Sequence, residues 1–65
     1  MKKHILRLIF ELNLSYLSVM RVVTKKGYLN DMTDRNINRW RNAIERTIQR
    51  RDTQQKQDIE QFLLD

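Results

Sequence analysis

With one glycine, Gly27, and no proline among its 65 residues, this chain lacks the residue types that most often end helices and make tight corners. A β architecture with many turns is therefore disfavoured, and a few helices joined by polar connectors are expected. From Lys3 to Leu12, the apolar residues Ile5, Leu8, Ile9 and Leu12 recur at i, i+3, i+4 and i+7, which makes one helical face. Phe10, Leu12, Leu14 and Tyr16 alternate briefly in the manner of a strand. The preferred reading breaks the chain near Asn13 and lets Ser15 cap a second helix reaching about Lys26. Tyr16, Val19, Met20 and Val23 share a face of that helix. One helix running from Lys3 to Lys26 is the alternative.

Lys25 and Lys26 suit the C-terminal turn of the second helix, where cations oppose the dipole, and Gly27 is a natural residue just past its end. Tyr28 to Met32 then reads as a connector. Thr33 or Asp31 caps a third helix, Asp34 fits its first turn, and Met32 is placed to staple onto the helix start. The third helix extends to about Arg51. Asp52 with Gln55 resembles a capping box that restarts a short final helix carrying Ile59, Phe62 and Leu63. Equally, Gln54 to Gln57 are good helix residues, and the third helix can run straight through. The expected fold is all-α: a compact bundle of three to four helices with a long basic third helix, in a single domain over residues 1–65.

A chain this short buries only about 60% of its unfolded surface. It has no cysteine, so neither a disulfide nor a thiolate metal site supports the core. Dense helix packing or a second subunit is the usual remedy, and a homodimer is one expectation. The start Met1-Lys2-Lys3 followed by apolar residues superficially resembles a signal peptide. Arg7 and Glu11, then Asn13, Ser15 and Ser18, interrupt it, and no small-residue cleavage site follows. No stretch approaches the roughly 20 apolar residues of a membrane span. The expectation is a cytoplasmic protein without a membrane partner.

Thirteen Lys and Arg oppose eight Asp and Glu, for a net charge of +5. Residues 35–51 hold six arginines and one acid, Glu45, so this segment carries the whole excess. At about 100° per residue, Arg35, Arg39, Arg46 and Arg50 fall within about 60° of one another, while Ile37, Trp40, Ile44 and Ile48 lie opposite. One side can be buried while the other presents a row of guanidinium groups roughly 22 Å long. The ordinary reading of such a row is a solvated face that keeps a small protein soluble. The functional reading is contact with phosphates, giving salt-dependent and largely sequence-independent affinity. Asn36, Asn38 and Asn42 add hydrogen-bonding groups around it, able in principle to read adenine edges. Trp40, spaced with Ile37 and Ile44, belongs to the core rather than to a base-stacking platform. Tyr28 is less constrained and either closes the core or meets a partner.

Catalysis has little support. There is no glycine-rich phosphate loop, no nucleophile with a plausible histidine partner, and only one histidine, His4. Asp31 and Asp34 are explained by helix capping. No metal and no cofactor are expected, and the chain reads as a non-enzymatic protein. Gly27 to Trp40 partly resembles a helix-turn-helix, with Thr33 as cap, Ile37 and Trp40 as anchors, and Arg35, Asn36 and Arg39 toward the major groove. Lys26 and Asn30 stand where that motif wants apolar residues, and Asp31 where it wants glycine.

A second resemblance covers Ser15 to Arg46, through Arg21-Val22-Val23, Lys25, Tyr28, Met32-Thr33-Asp34, Ile37, Trp40, Ala43 and Glu45. This order resembles the Hha/YmoA family of small enterobacterial gene-expression modulators, and Leu6-Arg7-Leu8, Ile59 and Phe62-Leu63 echo it at the two ends. The connector is two residues longer here, the family's proline before the last helix is missing, and Arg46 stands where the family has histidine. The resemblance implies a partner, the dimerisation domain of an H-NS-type nucleoid-associated protein, and a contact role for the acidic residue at Glu45. The leading expectation is a nucleoid-associated regulator of gene expression. In it Glu45, Tyr28 and Arg41 meet the protein partner, and Arg35, Arg39, Arg46, Arg50, Asn36 and Asn42 meet DNA. The alternatives are a helix-turn-helix repressor and a small inhibitor or adaptor that binds an acidic host protein surface.

Overall fold

The computed structural model describes residues 1–64. It contains three helices, α1 (Lys2–Phe10), α2 (Tyr16–Lys25) and α3 (Asp34–Leu64), and no strand among the described residues. The all-α bundle expected from the periodicity is what forms.

The first break falls where the polar interruption predicts it. Helix α1 stops at Phe10, and Asn13 takes a left-handed conformation with φ of 54°, which asparagine tolerates better than most residues. The Leu14 amide turns back to the Leu8 carbonyl at 3.1 Å, and the Glu11 and Leu12 amides both reach the Arg7 carbonyl. This early stop corrects one placement. Leu12 would extend the apolar face of a longer helix, but it lies past the end of α1 and is 63% exposed. Leu14 packs against the core instead.

Ser15 caps α2, its hydroxyl accepting from the Ser18 amide at 3.3 Å. At the other end Gly27 has φ of +75°. The Tyr28 amide bonds to the Val23 carbonyl and the Gly27 amide to the Thr24 carbonyl, the paired bonds of a Schellman ending. Of the two candidate caps for α3 the structure uses Thr33, whose hydroxyl accepts from the Asn36 amide at 3.3 Å.

Helix α3 does not restart at Asp52. It continues for 31 residues, about 46 Å, and so spans nearly the whole 49 Å length of a molecule only 20 and 18 Å across. Asp52 lies inside this continuous helix rather than at a helix start, and its Oδ1 accepts from Arg51 through both Nε (3.0 Å) and Nη2 (2.8 Å).

Helices α1 and α2 form an antiparallel hairpin against the first half of α3. Lys2 lies beside Trp40 and Arg39, while Ile9 lies by Arg51, so α1 runs parallel to α3 and α2 returns. The core comprises Ile5, Leu8 and Ile9 from α1, Val19 and Val23 from α2, and Ile44 and Ile48 from α3. Trp40 and Tyr28 are half-buried against it. Tyr28 is fixed by a 2.6 Å hydrogen bond between its hydroxyl and His4 Nδ1 and by an edge-on ring contact with His4 at 5.8 Å.

One charged residue is inside. Arg51 is 8% exposed, and its Nη1 donates to the Ile9 carbonyl at 3.1 Å and to the Leu14 carbonyl. The guanidinium thus sits at the C-terminal pole of α1, where the helix dipole favours a cation and carbonyls lack intrahelical donors. Arg51→Ala, which leaves both carbonyls short of a donor, is expected to cost about 2–4 kcal/mol in urea unfolding. Arg51→Lys is expected to recover only part of that, because an ammonium lacks the fork that reaches two carbonyls and a carboxylate together. Equal stability of Arg51→Ala and the parent would show that the clamp contributes nothing. Gly27→Ala is expected to cost about 1 kcal/mol for the left-handed backbone. Its added methyl meets only Asn30 Nδ2, at 3.0 Å, the movable end of a side chain.

Candidate nucleic-acid interface

The candidate surface is the outer face of α3. Thr33 fixes where the helix starts, and Ile44 and Ile48 turn one side into the core. The 3.6-residue repeat then sends Arg35, Arg39, Arg46 and Arg50 outward on the opposite side, where all four are exposed. Because the helix is unbroken, they keep one register along roughly 22 Å.

These four arginines have no acidic partner. The ion pairs among the described residues are Arg7–Glu11 and Arg51–Asp52. Arg46 and Arg50 border an open depression of about 410 Å³ with Gln49, Thr53 and Gln54. Asn42 and Glu45 adjoin it in a second depression of about 370 Å³ with Arg46 and Gln49. The surface therefore combines guanidinium and amide donors with a single carboxylate at its edge. That composition can hold phosphate oxygens.

The other sequence-derived site residues are distributed differently. Asn36 is exposed on the first turn of α3, rotated away from the row toward the Trp40 side. Arg41 lies on the α2 side, its Nε donating to the Tyr16 hydroxyl at 3.3 Å. That hydrogen bond raises the Arg41 pKa above its ordinary value. Tyr28 is held by His4. The three residues expected to meet a protein partner therefore have separate surroundings: Glu45 joins the arginine row, Arg41 faces α2, and Tyr28 faces α1.

Arg51 is the residue whose role periodicity alone overlooks. It was one of six cations on a basic helix, yet it stands seven residues after Ile44, two full turns, and so belongs to the buried face. That spacing was the available signal. With Arg51 turned inward and Arg41 bonded to Tyr16, four of the six arginines remain free to meet a ligand.

Eight residues, Lys26 to Thr33, separate α2 from α3, whereas the helix-turn-helix corner uses a turn of about three or four. No three His, Cys, Asp or Glu side chains among the described residues converge as a metal site, and no helix is long and apolar enough to cross a membrane.

No family model, curated protein or solved structure matches the chain.

Because the row arginines are exposed and unpaired, a double charge reversal, Arg39→Glu with Arg46→Glu, is expected to change unfolding free energy by less than about 0.5 kcal/mol. A large loss in thermal unfolding would assign these residues to the fold rather than to a binding surface.

Proposed function

We propose that this protein is a non-enzymatic regulator acting at DNA, with the α3 arginine row as a phosphate-contacting surface. The observation that carries the reading is that Arg35, Arg39, Arg46 and Arg50 are exposed, unpaired and aligned on one continuous helix. Positive charge with no intramolecular partner, held in a straight line, suits a polyanion that presents phosphates at regular intervals. Base reading is secondary: of the amides, Asn42 flanks the row and Asn36 lies off it, and the long α2–α3 connector supports positioning rather than insertion of a short recognition helix.

The resemblance to the Hha/YmoA family supports a protein partner of the H-NS type, with Glu45 as its contact. Glu45 is exposed beside the row, so one protein and one DNA backbone can be engaged by neighbouring parts of the same helix face. An adaptor that binds an acidic protein surface uses the same arginines and is separated from this reading by whether nucleic acid is required.

The test is duplex binding by fluorescence anisotropy across a salt series. Each neutralised phosphate contributes a slope of about −0.9 in log K against log salt, so loss of Arg39 and Arg46 is expected to flatten the slope by about two units. If the double reversal leaves every DNA complex unchanged, the phosphate role is wrong. In gel shifts, a nucleoid-protein dimerisation domain is expected to give a supershift that Glu45→Lys abolishes. A pull-down that survives nuclease and contains no DNA-associated protein would favour the adaptor.

A further inference from the structure

The last part of α3 has no tertiary partner. Among the described residues the furthest hydrogen bond back to the hairpin is Gln55 Nε2 donating to Asn13 Oδ1 at 2.9 Å. Beyond it Ile59, Phe62 and Leu63 stand 60, 80 and 75% exposed, at the i, i+3, i+4 spacing of a helix face that fills a groove. The charge also changes there. Residues 52–65 hold four acids against Lys56, while residues 1–51 hold twelve cations against four acids.

A matching groove lies at the other end of the molecule, between α1 and α3. Lys2, Arg39, Trp40 and Ala43 line an open recess of about 340 Å³, and beside it Leu6, Ile5 and Ile44 join Trp40 and Ala43 around a smaller apolar cleft of about 90 Å³. The tail cannot reach its own groove. Phe62 and Trp40 are 22 residues apart on one unbroken helix, about 33 Å. Tail-to-tail pairing brings like charges together. Tail-to-groove pairing joins an apolar face flanked by Asp58 and Glu60 to an apolar groove flanked by Lys2 and Arg39.

We propose that the C-terminal segment of α3 docks in the Trp40 groove of a second copy of this chain. Ile59, Phe62 and Leu63 are the anchors, and the acidic flanks select the basic rim. The contact removes from water three apolar side chains that are 60–80% exposed in the single chain, and it needs no DNA.

The experiment is sedimentation velocity of the full chain over a concentration series, read together with the emission of Trp40, the sole tryptophan. Self-association accompanied by a blue shift of Trp40 emission is expected, weakening at high salt. Phe62→Glu, a change at a fully solvated position, is expected to raise the dissociation constant at least tenfold and to leave the helical circular dichroism intact. Lys2→Glu with Arg39→Glu is expected to weaken association, and adding Asp58→Lys with Glu60→Lys to restore it. A protein that stays monomeric to millimolar concentration overturns the proposal. So does an oligomer that survives Phe62→Glu, or one in which Trp40 emission does not respond. DNA is absent from every arm, so the outcome is independent of the phosphate reading.

Discussion

The structure depends on how the end of α1 is satisfied. A nine-residue helix leaves carbonyls without intrahelical donors at its C-terminus, and here the last of the buried α1 residues, Ile9, is 1% exposed. Three groups resolve this. The backbone folds back through Asn13, the Leu14 amide reaches Leu8, and the Arg51 guanidinium reaches Ile9 and Leu14 together. Arg51 therefore ties the hairpin corner to a fixed point on α3. With that distance set, Val19 and Val23 of α2 and Ile5 and Ile9 of α1 meet Ile44 and Ile48 in one core. The cation is offset by Asp52, which stays partly in water, and by the dipole of the helix that it caps. The desolvation cost of an inward charge is thus shared among several favourable contacts.

The same clamp decides how α3 divides. N-terminal to Arg51 the helix is a structural element with one buried side and one basic side. C-terminal to it the helix leaves the bundle as an unsupported rod. Its apolar residues are in phase with the buried ones: Phe62 lies eighteen residues, five full turns, beyond Ile44, on the same side of the helix. The hydrophobic seam continues, but the α1–α2 hairpin is too short to cover it. The seam beyond Arg51 therefore stays in water, with Phe62 80% and Leu63 75% exposed.

The outer face follows from the inner one. Because Ile44 and Ile48 point inward, Arg35, Arg39, Arg46 and Arg50 point outward as a straight row, and straightness separates a positioning surface from scattered surface charge. Its single acid, Glu45, joins the row rather than Arg41 or Tyr28. A contact built from Glu45 is therefore continuous with the arginine row and separate from the tyrosine side of the bundle.

Much of this is local and could be read directly. Ser15, Thr33 and Gly27 act through bonds to residues a few positions away, so their roles are carried by residue type and spacing. The isoleucines and the arginine row follow from the helical repeat alone. Leu12 misled because the repeat persists past the point where the backbone leaves it. Asp52 was ambiguous because its local sequence supports both a cap and a continuing helix; the helix continues, and the Asp52 carboxylate pairs with Arg51 instead. The partner carbonyls of Arg51 lie 42 and 37 residues earlier in the chain. The sequence by itself determined the helical class, the Ser15 cap, the Gly27 ending and which face of each helix is apolar, because these depend on interactions within a turn or two. Only the tertiary structure decided which carbonyls the buried Arg51 reaches, where the bundle stops and how much of α3 is left over. Those outcomes depend on the distance between a short hairpin and a long helix after they have packed.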